Sequence, residues 1–329
     1  MDPVYKTILQ ELMANCRITY RMLAKKIGLT ATSVKKRVTK LWENGVISRP
    51  YVLLSLAMRD AEVSQAELIT DGTEQDEHFL TQLGTHPLVF AAVRTGPHEF
   101  TSAGNVACST QLFELGRFYR LFNCVKEVDI NLVRPVGPAF FPPGQQYIHR
   151  GQKVAFNKPQ LKVLRLLWEN ARMSAKEIAK QTNYSARRVG QILHELQTGG
   201  GLYFTVHMRP SAIGSIPFWL IIDYDENKIE PYQGVKWVAE KFPHIFWSCW
   251  LFVNKPTLQH FCTANNVKTI TDTTNITRTA PFAKQVRAII FRPQKYFVGP
   301  GYIQLGELLG EKVSNHEAEY YSGNNDYCF

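Results

Sequence analysis

The chain has 329 residues with a formal net charge of +10, and its composition is 45% apolar and 20% charged. These figures exclude a mostly disordered chain. The sequence has no run of about 18 apolar residues, so a transmembrane helix is not expected. The N-terminus lacks the basic start and apolar run of a signal peptide, so we expect a cytoplasmic protein with no membrane partner and at least two domains.

The first 55 residues predict a winged helix-turn-helix domain made of three helices and a strand. Apolar residues recur at helical spacing in the first and third helices: Ile8, Leu9, Leu12, Val34, Val38 and Leu41. Thr19 and Thr30 are typical N-caps for a second helix over 20–27 and a third helix over 31–44. The third helix would be the recognition helix, and the β-like stretch at 46–54 predicts a wing.

A ferredoxin-like domain is predicted next, over residues 56–136, followed by a linker over 137–157. Its pattern is strand, helix, two strands, helix and strand, at residues 62–69, 74–83, 88–93, 100–107, 111–122 and 126–134. Residues 61–135 carry a net charge of −5, whereas residues 1–60 carry +7. The acidic domain therefore separates two parts of the chain that are basic.

The second basic part, residues 155–210 with a net charge of +6, repeats the first. Residues 8–45 align without a gap on 163–200, and ten of 38 positions are identical where chance gives about two. The repeat predicts a second winged helix-turn-helix domain over 158–210, with its wing at 202–208. Its caps and apolar stripe are Ser174, Ser185, Val189, Leu193 and Leu196.

A second ferredoxin-like domain is predicted over 211–295, and a C-terminal tail over 296–329. Its strands and helices are expected at residues 217–224, 232–241, 245–251, 257–263, 267–274 and 284–292. The fold class is therefore α+β, with two winged helix-turn-helix domains alternating with two βαββαβ domains. Residues 211–293 of the second βαββαβ domain carry a net charge of +3, opposite in sign to the −5 of the first. This difference favours pairing of unlike units.

Basic modules that occur twice indicate a protein that binds a polyanion, and helix-turn-helix modules indicate double-stranded DNA. The first residues of a recognition helix reach base edges, and lysines further along meet phosphates. In the first module the candidate DNA-binding residues are Thr30, Thr32, Ser33, Lys35, Lys36 and Lys40. In the second module they are Ser185, Arg187, Arg188, Gln191 and His194.

The segment DPVYKTILQELMANCRITYRMLAKKIGLTATSVKKRVTKLWENGVI, residues 2–47, resembles the N-terminal domain of the leucine-responsive regulatory protein (Lrp/AsnC) family of transcription regulators. The tandem arrangement resembles archaeal examples. The resemblance implies a homodimer and a small-molecule effector such as an amino acid. The family's glycine loop matches Thr95, Gly96, His98 and Glu99, which become the candidate effector-binding residues, with Glu99 where an aspartate is common.

Two alternatives stay open at this point. The two βαββαβ units could pair within one chain, although we expect a homodimer because their exposed sheet faces need cover. Siroheme decarboxylases share the architecture and are enzymes, with catalytic residues in Arg-His segments. Here Arg94 and His98 are near each other without being adjacent, and the second copy offers Cys249 and Asn254.

Motifs of catalysis and metal binding are missing from the sequence. The six cysteines form no CxxC pair, the nine histidines form no HExxH pattern, and no GxGxxG, Walker loop or GxSxG occurs. We therefore expect a regulator that is not an enzyme and that uses no cofactor and no metal.

Overall fold

The computed structural model describes residues 2–47, 50–136, 151–209, 212, 214–290, 294–297 and 299–311. It confirms the α+β class and both helix-turn-helix modules. The first module comprises α1 (Pro3–Ala14), α2 (Tyr20–Ile27) and α3 (Ala31–Glu43). The second comprises α6 (Lys158–Glu169), α7 (Ala175–Thr182) and α8 (Ala186–Thr198).

Side-chain caps begin the helices where the sequence predicts them. Thr19 and Thr30 accept backbone hydrogen bonds in the first turns of α2 and α3. Ser174 and Ser185 do the same for α7 and α8. Gly28 ends α2 with φ of 68°, in the left-handed region where a side chain is disfavoured. The local sequence thus determines these helix ends.

The βαββαβ order is confirmed in both copies. The first unit contains β2 (Glu62–Thr70), α4 (Asp76–Leu83), β3 (Val89–Gly96), β4 (Glu99–Val106), α5 (Ser109–Arg120) and β5 (Val125–Pro135). The second unit contains β7 (Ile216–Tyr224), α9 (Pro231–Lys241), β8 (Phe246–Phe252), β9 (Thr257–Ala264), α10 (Val267–Arg278) and β10 (Ala283–Ile290). Each unit orders its four strands in the same way, β5-β2-β4-β3 and β10-β7-β9-β8.

The two units join edge to edge within the chain. The end of β5 pairs with β8, with Val133 opposite Phe252. A further strand, β11 (Gln294–Tyr296), follows β10 and pairs with β3, with Gln294 opposite Val93. Thus β5 of the first unit and β11, which follows the second unit, each pair with the second strand of the other unit. Because unpaired edges invite association, this pairing protects part of the β8 edge of the second unit and of the β3 edge of the first.

The strands predicted as wings pair with each other rather than folding back on their own modules. β1 (Tyr51–Leu54) and β6 (Leu202–Thr205) form a two-stranded antiparallel sheet, with Tyr51 opposite Thr205. A single strand leaves a row of backbone hydrogen-bonding groups unpaired, and the equivalent strand of the other module pairs with them. The two strands therefore connect the modules.

Part of the segment assigned by sequence to a C-terminal tail packs into the protein. α11 (Pro300–Leu309) buries Leu305 and Leu309 in the same core as the two helix-turn-helix modules. Tyr302 stacks on Trp168 of α6 with ring centroids 3.5 Å apart. The assigned linker and tail fall partly outside the described residues, at 137–150, 298 and 312–329. Among the described helices, none is long and apolar enough to cross a membrane.

Two buried histidines make the stability of the fold depend on pH. Burial lowers the pKa of His260 from 6.5 to about 3 and that of His207 to about 4. As pH falls below 6.5 the unfolded chain binds protons at both positions and the folded chain does not. The free energy of unfolding should therefore fall below pH 6.5, by up to about 1.4 kcal/mol per pH unit for each histidine.

Denaturant titrations between pH 7 and pH 5 measure this slope above the range where most carboxylates titrate. His260→Gln should remove about half of it. His78→Gln, on the exposed surface of α4, is the matched control that replaces a histidine outside the core. An unaltered slope in His260→Gln would contradict this account.

Candidate nucleic-acid interface

The first recognition helix, α3, buries one face and exposes a basic one. Val34, Val38 and Leu41 are at most 3% exposed and belong to the core of the module. Thr32, Lys35, Lys36 and Lys40 are exposed, as is the cap residue Thr30. Five of the six predicted contact residues of this module thus lie on one accessible surface.

Ser33 is the exception. It is half-buried, and its hydroxyl accepts a hydrogen bond from the guanidinium of Arg37 one turn later. The same guanidinium also approaches the Ser33 carbonyl at 3.4 Å. The Arg37 side chain therefore lies along the helix surface toward Ser33. Thr30 similarly uses its hydroxyl as the cap, at 3.2 Å from the Ser33 amide nitrogen.

The second recognition helix, α8, presents a sparser positive surface. Arg187, Gln191 and His194 are exposed together with the cap residue Ser185. Arg188 is half-buried and donates to Gln191 Oε1 at 2.9 Å, so these two predicted contacts engage each other. Gly190 stands where α3 has Lys35, and a Cβ there would meet nothing within 4 Å. Packing does not require that glycine, so the helix simply lacks a side chain at this exposed position.

Two equivalent arginines join the modules. Arg17 donates to the carbonyls of Ala171 and Met173, the latter at 3.0 Å. Arg172 donates in return to the carbonyls of Cys16 and Ile18, the latter at 3.4 Å. Because equivalent arginines make equivalent contacts in both directions, the two modules are related by an approximate two-fold axis.

Neither arginine is therefore placed as a DNA contact, although both lie in basic modules. Sequence reasoning missed this role. The signal was present, because Arg17 and Arg172 are among the ten identities of the repeat, but identity alone does not distinguish a DNA contact from a contact between modules.

The candidate effector loop is a tight hairpin at the end of β3 and β4. Thr95 and Gly96 are half-buried, whereas His98 and Glu99 are exposed. Arg94 holds the loop through its side chain, donating to Gly96 O at 2.9 Å and Pro97 O at 2.8 Å and pairing with Asp76. None of the four predicted effector residues lines the central cavity described next.

A cavity of about 380 Å³ lies at the centre of the molecule. Its walls come from both units, from the paired strands β1 and β6, and from the start of α11. Gln65 of β2 and Gln259 of β9 meet in its wall and exchange two amide hydrogen bonds of 2.9 and 3.0 Å. No motif in the sequence pointed to this cavity, because its residues come from distant parts of the chain.

Comparison with known families matches both modules. Residues 1–48 and 156–200 match the family described as winged helix-turn-helix DNA-binding. An uncharacterized HTH-type transcriptional regulator of Pyrococcus abyssi is 49% identical over 47 residues, which is 14% of this chain and 30% of that protein. The HTH-type transcriptional regulator LrpA of Bacillus subtilis is 45% identical over 47 residues, which is 14% of this chain and 35% of LrpA.

Both modules thus match the winged helix-turn-helix DNA-binding family, and a 47-residue stretch of the chain is similar to LrpA. The chain matches only about a third of the length of these curated relatives, and the Lrp/AsnC resemblance of its sequence is concentrated in the helix-turn-helix. These matches of 47 residues are too short to include both modules, so they do not cover the contact that Arg17 and Arg172 make between them.

The whole chain has a similar fold to the crystal structure of the siroheme decarboxylase NirDL. The TM-score is 0.54 with 13% sequence identity, over 93% of this chain and 98% of that one. At this identity the likeness concerns the fold alone. The arrangement of the elements along this chain therefore has a counterpart over nearly the full length of another protein.

Proposed function

We propose that this protein is a sequence-specific DNA-binding transcription regulator of the Lrp/AsnC type in which one chain supplies a complete pair of recognition helices. The observation that carries the proposal is the reciprocal exchange between Arg17 and Arg172, together with the pairing of β1 and β6. It supports a fixed spacing of α3 and α8, and two helices related by a two-fold axis suit an operator with two half-sites.

The two half-sites are expected to differ. The outward surface of α3 carries Lys35, Lys36 and Lys40, whereas the equivalent positions of α8 are Gly190, Gln191 and Glu195. Lysines contact phosphates, whereas an exposed Arg187 can read guanine and Gln191 can read adenine. We therefore propose an asymmetric operator with a strongly held half-site under α3 and a weaker one under α8.

Binding of genomic DNA fragments at increasing salt tests the proposal. Each phosphate neutralised by a lysine or arginine should contribute about −0.9 to the slope of log affinity against log salt. We expect a steep slope and selection of particular fragments from a genomic pool. A flat response, or no retarded fragment at low salt, would refute DNA binding.

The number of protein chains in the retarded complex tests whether one chain or a homodimer binds the DNA. The two units join within one chain through β5 with β8 and β11 with β3, which supports one chain as the unit that binds DNA. The homodimer and the amino-acid effector at Thr95, Gly96, His98 and Glu99 stay predictions.

A second candidate function, a tetrapyrrole decarboxylase, is favoured by the whole-chain fold similarity to siroheme decarboxylase NirDL. One solved form of that protein is a complex with an iron-uroporphyrin III analogue. Such a ligand carries a ring of carboxylates, and the cavity offers it few cations. Arg94 is committed to the hairpin and to Asp76, and His98 lies outside the cavity lining. Tetrapyrrole absorbance in the purified protein would favour the enzyme over the regulator.

A further inference from the structure

Arg59, in the turn after β1, is a cation in the wall of the central cavity whose guanidinium is incompletely bound. One terminal nitrogen donates to Asn105 Oδ1 at 2.9 Å. The Nε atom is buried and has no hydrogen-bond partner among the described residues. Burial lowers the pKa of Arg59 to about 10, so the group is still charged at neutral pH. Arg59 is half-buried, and a partly desolvated charge that lacks a counter-ion is costly.

Nothing in the described cavity wall supplies that counter-ion. The lining contains no aspartate and no glutamate. Its lysine, Lys295, has partners of its own, Glu77 at 3.2 Å and the Thr81 hydroxyl at 2.7 Å. Arg59 is thus placed to receive an anion from outside the protein.

The start of α11 adds a second positive group beside Arg59. Gly299 precedes the helix without a side-chain cap, Pro300 has no N–H, and the amides of Tyr302 and Ile303 donate to Gly299 O at 2.9 and 3.3 Å. Of the first-turn amides, that of Gly301 therefore lacks a partner among the described residues and carries part of the positive charge of a helix N-terminus. A Cβ on Gly301 would lie 2.9 Å from Leu54 O and 3.5 Å from Arg59 Nε. The close approach of helix, strand and guanidinium therefore depends on that glycine.

The rest of the cavity wall is rich in aromatic side chains. Phe90, Trp219, Trp250, Phe261 and Tyr296 are among its residues. Its volume of about 380 Å³ lies in the range of small-molecule sites, in which apolar walls and a few polar groups fix one orientation. Aromatic walls favour a flat ring through stacked and edge-to-face contacts.

We propose that this cavity binds a small aromatic carboxylic acid, with its carboxylate held by Arg59 and the Gly301 amide at the start of α11 and its ring among the aromatic side chains. The site is separate from the hairpin of Thr95 and Gly96 and does not depend on DNA binding. Because β1 and β6 both line it, the ligand would touch the strands that join the two helix-turn-helix modules.

Calorimetric titration of the full chain tests the proposal with benzoate, phenylacetate and indole-3-acetate, each compared with its own amide. The amide keeps the ring and removes the charge. At least one acid should bind with a submillimolar Kd and at least about ten-fold more tightly than its amide, since hydrogen bonds to charged groups are stronger than neutral ones. Equal affinity of acid and amide, or no binding by any of the three acids at 1 mM, would overturn the proposal.

Arg59→Gln keeps an amide donor for Asn105 and removes the charge, so it should abolish the preference for the acid. Arg117→Gln, on the exposed face of α5, is the matched control and should retain it. A preserved preference in folded Arg59→Gln would also overturn the proposal. Should that variant not fold, the comparison of acids with amides in the unaltered protein still decides.

Discussion

Replacing Arg17 with alanine should lower the free energy of unfolding by about 2–4 kcal/mol, because two hydrogen bonds from a charged group are lost together. Their acceptors, the carbonyls of Ala171 and Met173, are then left without donors where the two modules meet. Arg17 is half-buried, and this burial lowers the pKa of its guanidinium. Urea denaturation of the purified chain measures the loss.

Arg172→Ala should cost at least as much, since Arg172 also lies over the ring of Tyr20 at 5.1 Å. The matched control is Arg21→Ala, because Arg21 is exposed on α2 and its removal deletes the same charge from the same module. It should change the free energy of unfolding by less than about 0.5 kcal/mol. Losses of equal size in Arg17→Ala and Arg21→Ala would show that the contact between modules contributes nothing measurable.

Replacing both Lys35 and Lys36 with alanine should weaken DNA binding by roughly ten-fold per lysine at low salt. The salt slope should become shallower by about 0.9 for each phosphate contact removed. The corresponding change in α8, Arg187→Ala with Arg188→Ala, should cost less. Arg188 is half-buried and already engages Gln191, so α8 has one free arginine where α3 has three exposed lysines.

A charge-matched control uses Lys236→Ala with Lys268→Ala, two exposed lysines on the outer helices α9 and α10 that pair with Glu240 and Asp272. It removes the same formal charge and should leave both affinity and slope near those of the unaltered protein. A larger loss from the arginine pair than from the lysine pair would make α8 the dominant reader of DNA.

Some of the fold was predictable from the sequence because it depends on residues only a few positions apart. Thr30 caps α3 through an amide three residues later, and Val34, Val38 and Leu41 repeat at the helical period. The same reasoning predicted the two βαββαβ units, since apolar alternation and turn residues are local. The exposed lysines of α3 followed directly, because the buried stripe determines which side of the helix meets solvent.

The tertiary structure alone decided how these parts are assembled. Arg17 meets a carbonyl 156 positions away, and Gln65 meets an amide 194 positions away. Strands β1 and β6 were expected as two wings and instead pair with each other. The central cavity likewise combines Arg59 with the start of α11. No local pattern specifies such contacts, because they depend on which surfaces remain unpaired after each unit has folded, and on the free energy gained when buried hydrogen-bonding groups find partners.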